Sequence, residues 1–457
     1  HLDAWRSANV EGGVSQWTRA MRLVTALGDH GAELLDHAYN VDPTSPNANE
    51  KPIRILSLDG GGMRGIATLV MLERILKATQ NWCVGDCFDL IVGTSTGGII
   101  AVGTGLLRMT TEELNELYTN MGDEIFPKKD SYITQVYKAF QRGQEEARNF
   151  EIMLNKALDG EAEKPLYTIA SHPRWYSSRF PPPRVALVSR LVSRSPTTTF
   201  LMRSYHHEGQ AKGHLGRLPG EHRASLVQSI RATTAAPWYL EELKVDKEIG
   251  GTGGCACEAK TDSEQRQGEA SASGANGKDS PGTGASGAVE DDVVKYDVQK
   301  TPTHVQSELR LIDGAIASNN PTAVAVFEAR RLFSQSRPLC VVSLGTGASV
   351  PHARGARNPG WLDNTIHATC DVDQVDATIR HLLGSKDSYY RFQPIADIFG
   401  CELNDTSPET AAGLRRGAAA YMDSMEHQVN KLASVLRREY VPAANSASSS
   451  VRGGDSS

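Results

Sequence analysis

The ten residues FDLIVGTSTG (88–97) join an apolar, strand-like run to a helix-like run that begins at Gly98. Ser95 therefore falls on a sharp strand-to-helix turn, a nucleophile elbow, which lifts a hydroxyl clear of the backbone. Glycine leaves room for such a turn, and the N-terminus of the following helix favours developing negative charge. The pattern predicts a nucleophilic serine, with a turn that carries no chemistry as the alternative. The other elbow positions are Gly93, Thr94, Thr96 and Gly97.

A second glycine cluster, LDGGGMRG (58–65), follows a strand-like run and opens a helix-like run. Consecutive glycines at a helix N-terminus point N–H groups at an anion, either a phosphate or an oxyanion. Gly60, Gly62 and Gly65 also satisfy the dinucleotide pattern GxGxxG, but the next strand runs into the elbow and not into the required acid. The Lys-Ser/Thr of a Walker loop does not follow either. An oxyanion hole is preferred because it explains both glycine turns with one reaction.

A nucleophilic serine also needs a neighbouring base. None of the histidines that we considered follows an apolar strand, as a triad histidine on a strand-end loop would. Asp313 closes the apolar run 309–312 and precedes Gly314 and Ala315. A carboxylate at a strand end lies where open α/β sheets place their sites, although alone it is interpreted as a turn cap. The histidines considered are His206, His207, His214, His222, His304, His367 and His381.

Together the three motifs resemble the patatin-like phospholipase family. Its motifs DGGGxRG, GxSxG and DGA/G are met in order by residues 59–65, 93–97 and 313–315. The resemblance implies a Ser-Asp dyad, with Ser95 as nucleophile and Asp313 as base. It also implies an oxyanion hole built from backbone N–H groups around Gly61, Gly62 and Met63, with Arg64 shaping the loop. The residues assigned to that loop are Gly60, Gly61, Gly62, Met63, Arg64 and Gly65.

The resemblance covers roughly residues 51–400 and is strongest to the intracellular calcium-independent phospholipases of the gamma type. It implies a three-layer α/β/α fold with a mostly parallel central sheet. The implied function is hydrolysis of fatty acyl esters of glycerophospholipids through an acyl-enzyme, without calcium. Two alternatives stay open. One is a general esterase with a histidine triad, and the other is a non-catalytic lipid-binding or scaffold protein.

Composition is consistent with a globular enzyme of 457 residues, 39% of them hydrophobic. A net charge of −6 does not attract nucleic acid, so no nucleic-acid partner is predicted. Residues 171–223 are locally basic, and they are either a membrane-facing surface or an ordinary solvated face. The expected partner is phospholipid at a membrane surface, and no protein partner is indicated.

Seven cysteines without a compact framework indicate a reducing, intracellular compartment, with peripheral membrane association expected. The sequence contains no run of eighteen apolar residues, so no membrane-spanning helix is predicted. We predict no cofactor and no metal: Cys83 and Cys87 lack a second ligand pair, and 371–373 lacks the glycine and glutamate of a calcium loop.

The sequence divides into four predicted parts. Residues 1–50 are expected to form an N-terminal helical segment and linker, and the start at His1 predicts a fragment or processed product. Residues 51–330 form the catalytic domain, with a disordered insertion at about 250–292 because that stretch is rich in Gly, Ser and Ala. Residues 331–441 pack on it, with helical runs at 376–383 and 408–440. Residues 442–457 form a disordered tail.

Overall fold

A computed structural model describes the chain in twelve stretches, the last ending at residue 437. They are residues 52–81, 83–125, 135–158, 160–175, 178, 180–206, 218–237, 239–246, 308–333, 337–350, 372–383 and 388–437. The predicted N-terminal segment at 1–50, the insertion at 250–292 and the tail at 442–457 lie outside these stretches.

The described residues form one sheet of nine strands. The strands along its main path follow the order β5-β4-β3-β2-β1-β8-β9, and β7 pairs with both β3 and β6. Pairing is parallel from β3 through β2, β1 and β8 to β9. The pairs β3–β4, β3–β7 and β6–β7 are antiparallel. The strands are β1 Ile53–Leu58, β2 Leu90–Thr94, β3 Arg184–Leu191, β4 Thr198–Arg203, β5 Gly220–Glu221, β6 Leu243–Asp246, β7 Glu308–Asp313, β8 Leu339–Leu344 and β9 Tyr389–Phe392.

Helices cover both faces of this sheet, and the described α-helices are ten. They are α1 Gly65–Thr79, α2 Thr96–Gly105, α3 Thr111–Ile125, α4 Gln135–Ala157, α5 Leu226–Thr234, α6 Ala315–Ser318, α7 Thr322–Leu332, α8 Asp373–Leu383, α9 Pro408–Ser424 and α10 Glu426–Leu436. The predicted helical run at 408–440 is therefore two helices that meet at Met425.

Two apolar clusters define the layers. Strand residues that point to one face, such as Leu56 and Leu58, pack with α1, α2, α9 and α10. Their neighbours Ile53 and Ile55 point to the other face and pack with α7 and α8. Every residue of β1 is buried, as expected for a parallel strand covered by helices on both sides. The three-layer α/β/α fold with a mostly parallel central sheet is confirmed.

The part after residue 330 does more than pack on the catalytic domain. β8 pairs with β1 along its whole length, and β9 pairs with β8. Helices α9 and α10 lie against α1. This C-terminal part therefore extends the same sheet on the side of β1 that faces away from β2.

Helix ends follow local sequence signals. Ser225 caps α5 by accepting the amide of Gln228, whose side chain in turn accepts the amide of Ser225. Ser407 caps α9, whose first residue is Pro408. Among the helices in the described stretches, none combines the length and hydropathy needed to cross a bilayer.

Candidate active site

Ser95 occupies a strained turn between β2 and α2. Its φ of 54° and ψ of −122° lie in a backbone region that residues other than glycine seldom adopt. The turn also brings Gly97 so close to the end of β1 that a Cβ there would overlap the carbonyl oxygen of Leu58. Ser95 and the two flanking glycines thus form the predicted elbow, with the serine partly exposed at its tip.

The Ser95 hydroxyl donates a hydrogen bond to Oδ2 of Asp313 over 2.8 Å. The other carboxylate oxygen, Oδ1, accepts the backbone N–H of Ala315 over 2.7 Å. Both oxygens of Asp313 are therefore held, and the side chain is buried. The structure brings together the two residues that the sequence analysis selected as nucleophile and base.

Strand register explains how residues 218 positions apart meet. The last pair between β2 and β3 is Thr94 with Val188, and the next residue of β3, Ser189, pairs with Asp313 at the end of β7. β2 runs parallel to β3 and β7 runs antiparallel to it, so the two strands approach each other end to end along one edge of β3. Their C-terminal ends deliver the hydroxyl and the carboxylate to the same point.

Burial changes the acidity of this carboxyl group. It raises the pKa of Asp313 to about 6, against the opposing effect of hydrogen bonds from the Ala315 amide and the Ser95 hydroxyl. A base has to be ionised at the working pH and still have enough proton affinity to take a proton. A carboxylate with a pKa close to neutrality is better suited to deprotonate a serine than a solvated one.

The glycine loop, residues 60–65, lies directly against the nucleophile. A Cβ added to Gly60 would lie 3.2 Å from Cβ of Ser95. The amide of Gly60 donates to the carbonyl of Asn319, and that of Arg64 donates to Gly61. The amide of Gly65 donates to the carbonyls of Gly62 and Met63. Within the described stretches, the amides of Gly61 and Gly62 donate to no protein acceptor and are available to an anion.

Met63 does not fit the role that the resemblance gives it. Its amide donates to the carbonyl of Leu403 over 2.8 Å, so this N–H is already used inside the protein. The sequence could not reveal this bond, because Leu403 lies 340 positions further along the chain. The candidate oxyanion donors are therefore reduced to Gly61 and Gly62.

Arg64 contacts the loop as the resemblance implies. Its Nε lies 3.4 Å from the carbonyl oxygen of Gly61, and its Nη1 donates to the carbonyl of Phe399 over 3.1 Å. Arg64 thereby ties the glycine loop to the turn that precedes α9.

The remaining motif residues contact neighbouring elements around the dyad. Thr94 donates from its hydroxyl to the carbonyl of Ser318 over 2.8 Å. The hydroxyls of Thr96 and Tyr118 are hydrogen-bonded to each other inside the core. Gly314 is packed so closely on β3 that a Cβ would overlap the carbonyl of Val188. These contacts fix the elbow and the Asp-Gly-Ala turn to their neighbours.

The described histidines lie elsewhere. His206 packs edge-on against His222, with ring centroids 4.9 Å apart, and His381 lies in α8. Within the stretches that the structure describes, Ser95 Oγ hydrogen-bonds to Asp313 and to no histidine. His207, His214, His304 and His367 lie outside those stretches.

The described residues of the basic segment 171–223 differ in their exposure to solvent. Arg184 and Arg203 are buried, and Arg203 is paired with Glu328 through its Nε at 2.9 Å. Arg174 is exposed and pairs with Glu113. Part of the positive charge of this segment is therefore buried or paired inside the protein, and the membrane-facing surface stays a prediction.

Sequence reasoning also missed Thr233 and Arg391, which contact the site motifs. Thr233 of α5 accepts the amide of Ser95, and Arg391 of β9 pairs with Asp59 at the start of the glycine loop. Each lies far along the chain from its partner, so no local pattern could have identified it.

Comparisons with known proteins identify sequences that are similar to this chain. A family profile described as Patatin-like phospholipase matches residues 56–326. The chain is 28% identical to Phospholipase A I of Arabidopsis thaliana over 78% of its length, which is 26% of that relative. It is 26% identical to human calcium-independent phospholipase A2-gamma over 89% of its length. That alignment covers 42% of the human protein, so the chain spans less than half of either relative.

Among solved structures, human GIVD cytosolic phospholipase A2 is similar with a TM-score of 0.42 and 10% sequence identity. That match covers 92% of this chain and 64% of the other.

Proposed function

The chain belongs to the patatin-like phospholipase family, and we propose that it is a calcium-independent lipid acyl hydrolase of the phospholipase A type. Its substrates are fatty acyl esters of glycerophospholipids. The hydrogen bond of 2.8 Å from Ser95 Oγ to Asp313 Oδ2, beside the glycine loop, carries this proposal. Relatives named phospholipases support the substrate class.

Acylation begins when Asp313 accepts the proton of the Ser95 hydroxyl as Oγ attacks the ester carbonyl carbon. The carbonyl electron pair moves to oxygen and forms a tetrahedral oxyanion. Collapse of this intermediate expels the glyceryl oxygen of the lysophospholipid, which takes the proton from Asp313. The products of this half-reaction are an acyl-serine and a free lysophospholipid.

The oxyanion is stabilised by the amides of Gly61 and Gly62. Donors that are already oriented need no reorganisation as charge develops, and loss of one such donor typically lowers kcat by about 10²- to 10³-fold. Water then attacks the acyl-serine with Asp313 again as base, and release of the fatty acid returns the proton to Ser95.

We place the working site at a membrane surface inside the cell. Three exposed or half-exposed apolar side chains lie on segments that adjoin the dyad or the glycine loop: Ile316, Leu403 and Tyr239. Ile316 belongs to α6, directly after Asp313, and the carbonyl of Leu403 holds the amide of Met63. Burial raises the pKa of the Tyr239 hydroxyl, and the negative charge of nearby Glu402 raises it further. Tyr239 therefore lies close to the segment that carries Leu403. We call these three residues the apolar rim, and they are suited to contact lipid.

The test is hydrolysis of phosphatidylcholine vesicles in the presence of a calcium chelator, with fatty acid and lysophospholipid measured by mass spectrometry. Wild type is expected to release both products, and Ser95→Ala is expected to release neither. Binding of vesicles by both proteins without hydrolysis by either would instead favour a lipid-binding or scaffold role. Hydrolysis that survives Ser95→Ala would overturn the proposed nucleophile.

A further inference from the structure

A buried threonine contacts the nucleophile through its backbone. The hydroxyl of Thr233 accepts the N–H of Ser95 over 2.9 Å and donates to the carbonyl of Val188 over 2.6 Å. A hydroxyl has one proton to donate, and the Val188 carbonyl can only accept, so the direction of both bonds is fixed. Thr233 itself is fully buried.

The position of this bridge is specific to the elbow. Thr94 and Val188 are the last residue pair between β2 and β3. Beyond that pair the chain turns sharply at Ser95, and its amide leaves the ladder. Thr233 supplies a side-chain acceptor at the point where the sheet no longer provides a backbone acceptor. The strained φ of 54° at Ser95 is thereby held by a bond to a neighbouring helix.

The same turn also holds the base. The carbonyl of Ala235, two residues after Thr233, accepts the backbone N–H of Asp313 over 2.9 Å. One segment, Thr233–Ala235 at the C-terminal end of α5, thus binds the backbone amides of both Ser95 and Asp313. The helix that carries this segment is itself fixed, because Arg231 pairs with Glu151 and donates to the carbonyl of Glu241.

We propose that Thr233 is a positioning residue that sets the distance between the nucleophile and its base by fixing the elbow through the Ser95 amide. This inference rests on the proposed function of the Ser95–Asp313 pair. Thr233 does not touch the reacting atoms, so its effect is on the alignment of Ser95 Oγ and not on substrate binding. Misplacement by about 1 Å can cost on the order of 10²-fold in rate.

The substitution Thr233→Val removes the hydroxyl and keeps the shape of the side chain. We expect kcat to fall about 10- to 100-fold with little change in KM, because ground-state binding does not involve this residue. The rate constant for labelling by a fluorophosphonate probe should fall by a similar factor. The acid limb of the pH profile should keep its midpoint, since the surroundings of the Asp313 carboxyl group are unchanged.

The adjacent Thr234 provides a matched control. It is also buried, but its hydroxyl donates to the carbonyl of Ile230 within α5 and contacts neither dyad residue. Thr234→Val should therefore keep wild-type kcat. Thr233→Ser retains the hydroxyl and should recover most of the activity that Thr233→Val loses.

The outcomes separate this inference from the proposed function. If wild type neither hydrolyses phospholipid nor reacts with the probe, the proposed function fails. A second variant without the hydroxyl, Thr233→Ala, is measured beside Thr233→Val. If wild type is active and Thr233→Val matches it, or if Thr233→Ser is as slow as Thr233→Ala, the positioning role is wrong. The labelling rate constant reports only folded molecules, so the comparison of Thr233→Ser with Thr233→Ala decides the question even if Thr233→Val folds poorly.

Discussion

Arg391 and Asp59 form a bidentate ion pair beneath the glycine loop. Nη2 of the arginine lies 2.6 Å from Oδ2 of the aspartate, and Nη1 lies 2.9 Å from Oδ1. Both side chains are almost completely buried, and Nη1 also donates to the hydroxyl of Ser343. The pair joins β9 to the first residue after β1. The glycine loop is therefore anchored at its start by an arginine from the C-terminal part.

Breaking this pair should destabilise the protein and disturb the loop. Arg391→Met leaves the Asp59 carboxylate buried without a partner, which typically costs about 3–5 kcal/mol. We expect the midpoint of urea unfolding to fall accordingly. The control is Asp59→Asn combined with Arg391→Met, which removes the isolated charge and should restore part of the loss. An unchanged midpoint in Arg391→Met alone would mean that the pair does not stabilise the fold.

The pH dependence of hydrolysis should report the ionisation of Asp313. The pKa of this residue is raised to about 6, and the base must be ionised to accept a proton. We expect kcat/KM to fall about tenfold per pH unit below that value and to be level above it. Stopped assays on a monomeric ester between pH 4.5 and 8.5 would measure this. A profile that stays flat down to pH 4.5 would contradict the role of Asp313 as base.

The same raised pKa predicts a trade between stability and activity. Because the folded-state pKa lies above the unfolded value of 3.8, the native protein binds the proton more tightly. Its contribution to stability is complete below pH 3.8 and is lost as the pH rises through about 6. Asp313→Asn should thus be inactive yet more stable than wild type at pH 8, by on the order of 3 kcal/mol. Thermal unfolding at pH 8 and pH 4 would test this, since the gain should disappear at pH 4.

Gly62 should not tolerate a side chain. Its φ is +56°, and a Cβ would overlap the carbonyl of Leu403. Gly62→Ala should therefore displace one of the two candidate oxyanion donors and lower kcat by about 10²-fold or more. Gly160→Ala is the control, because Gly160 also has a positive φ but faces open space. It should lose a little stability and no activity, and equal losses in both variants would argue against a role in the oxyanion hole.

The apolar rim should matter for vesicles and not for monomeric substrates. Ile316→Gln with Leu403→Gln should lower hydrolysis of phosphatidylcholine vesicles roughly tenfold, because two apolar side chains no longer enter the lipid. Hydrolysis of a soluble short-chain ester should be unchanged. Ile152→Gln is the control, since Ile152 is highly exposed on α4. An equal loss on both substrates would indicate a damaged site and not a lost membrane contact.

Local sequence predicted the parts of the site that are made by consecutive residues. The elbow at Ser95 and the glycine loop are each predicted from a continuous pattern of one strand, one turn and one helix. Local sequence could not predict the pairing of Ser95 with Asp313, because the register of β2 and β7 on β3 is set by distant contacts. That pairing was predicted from the family resemblance.

The features that sequence missed depend on such distant contacts. Thr233 is 138 positions from Ser95, and Arg391 is 332 positions from Asp59. The hydrogen bond from the Met63 amide to Leu403 is another case, because glycine spacing does not reveal which N–H groups already have an acceptor. Burial of Arg184 and Arg203 is a further case, because both lie in buried stretches of β3 and β4, which a count of charged residues does not reveal.

The family profile ends at residue 326, but the sheet does not. β8 and β9 follow that point and pair with β1 and with each other, and Arg391 and Leu403 reach back to the glycine loop. A recombinant fragment cut at the profile boundary would expose one edge of β1 and leave Asp59 without its cation. The residues after 326 thus complete the sheet and hold the glycine loop, so a fragment made for expression should extend beyond α10.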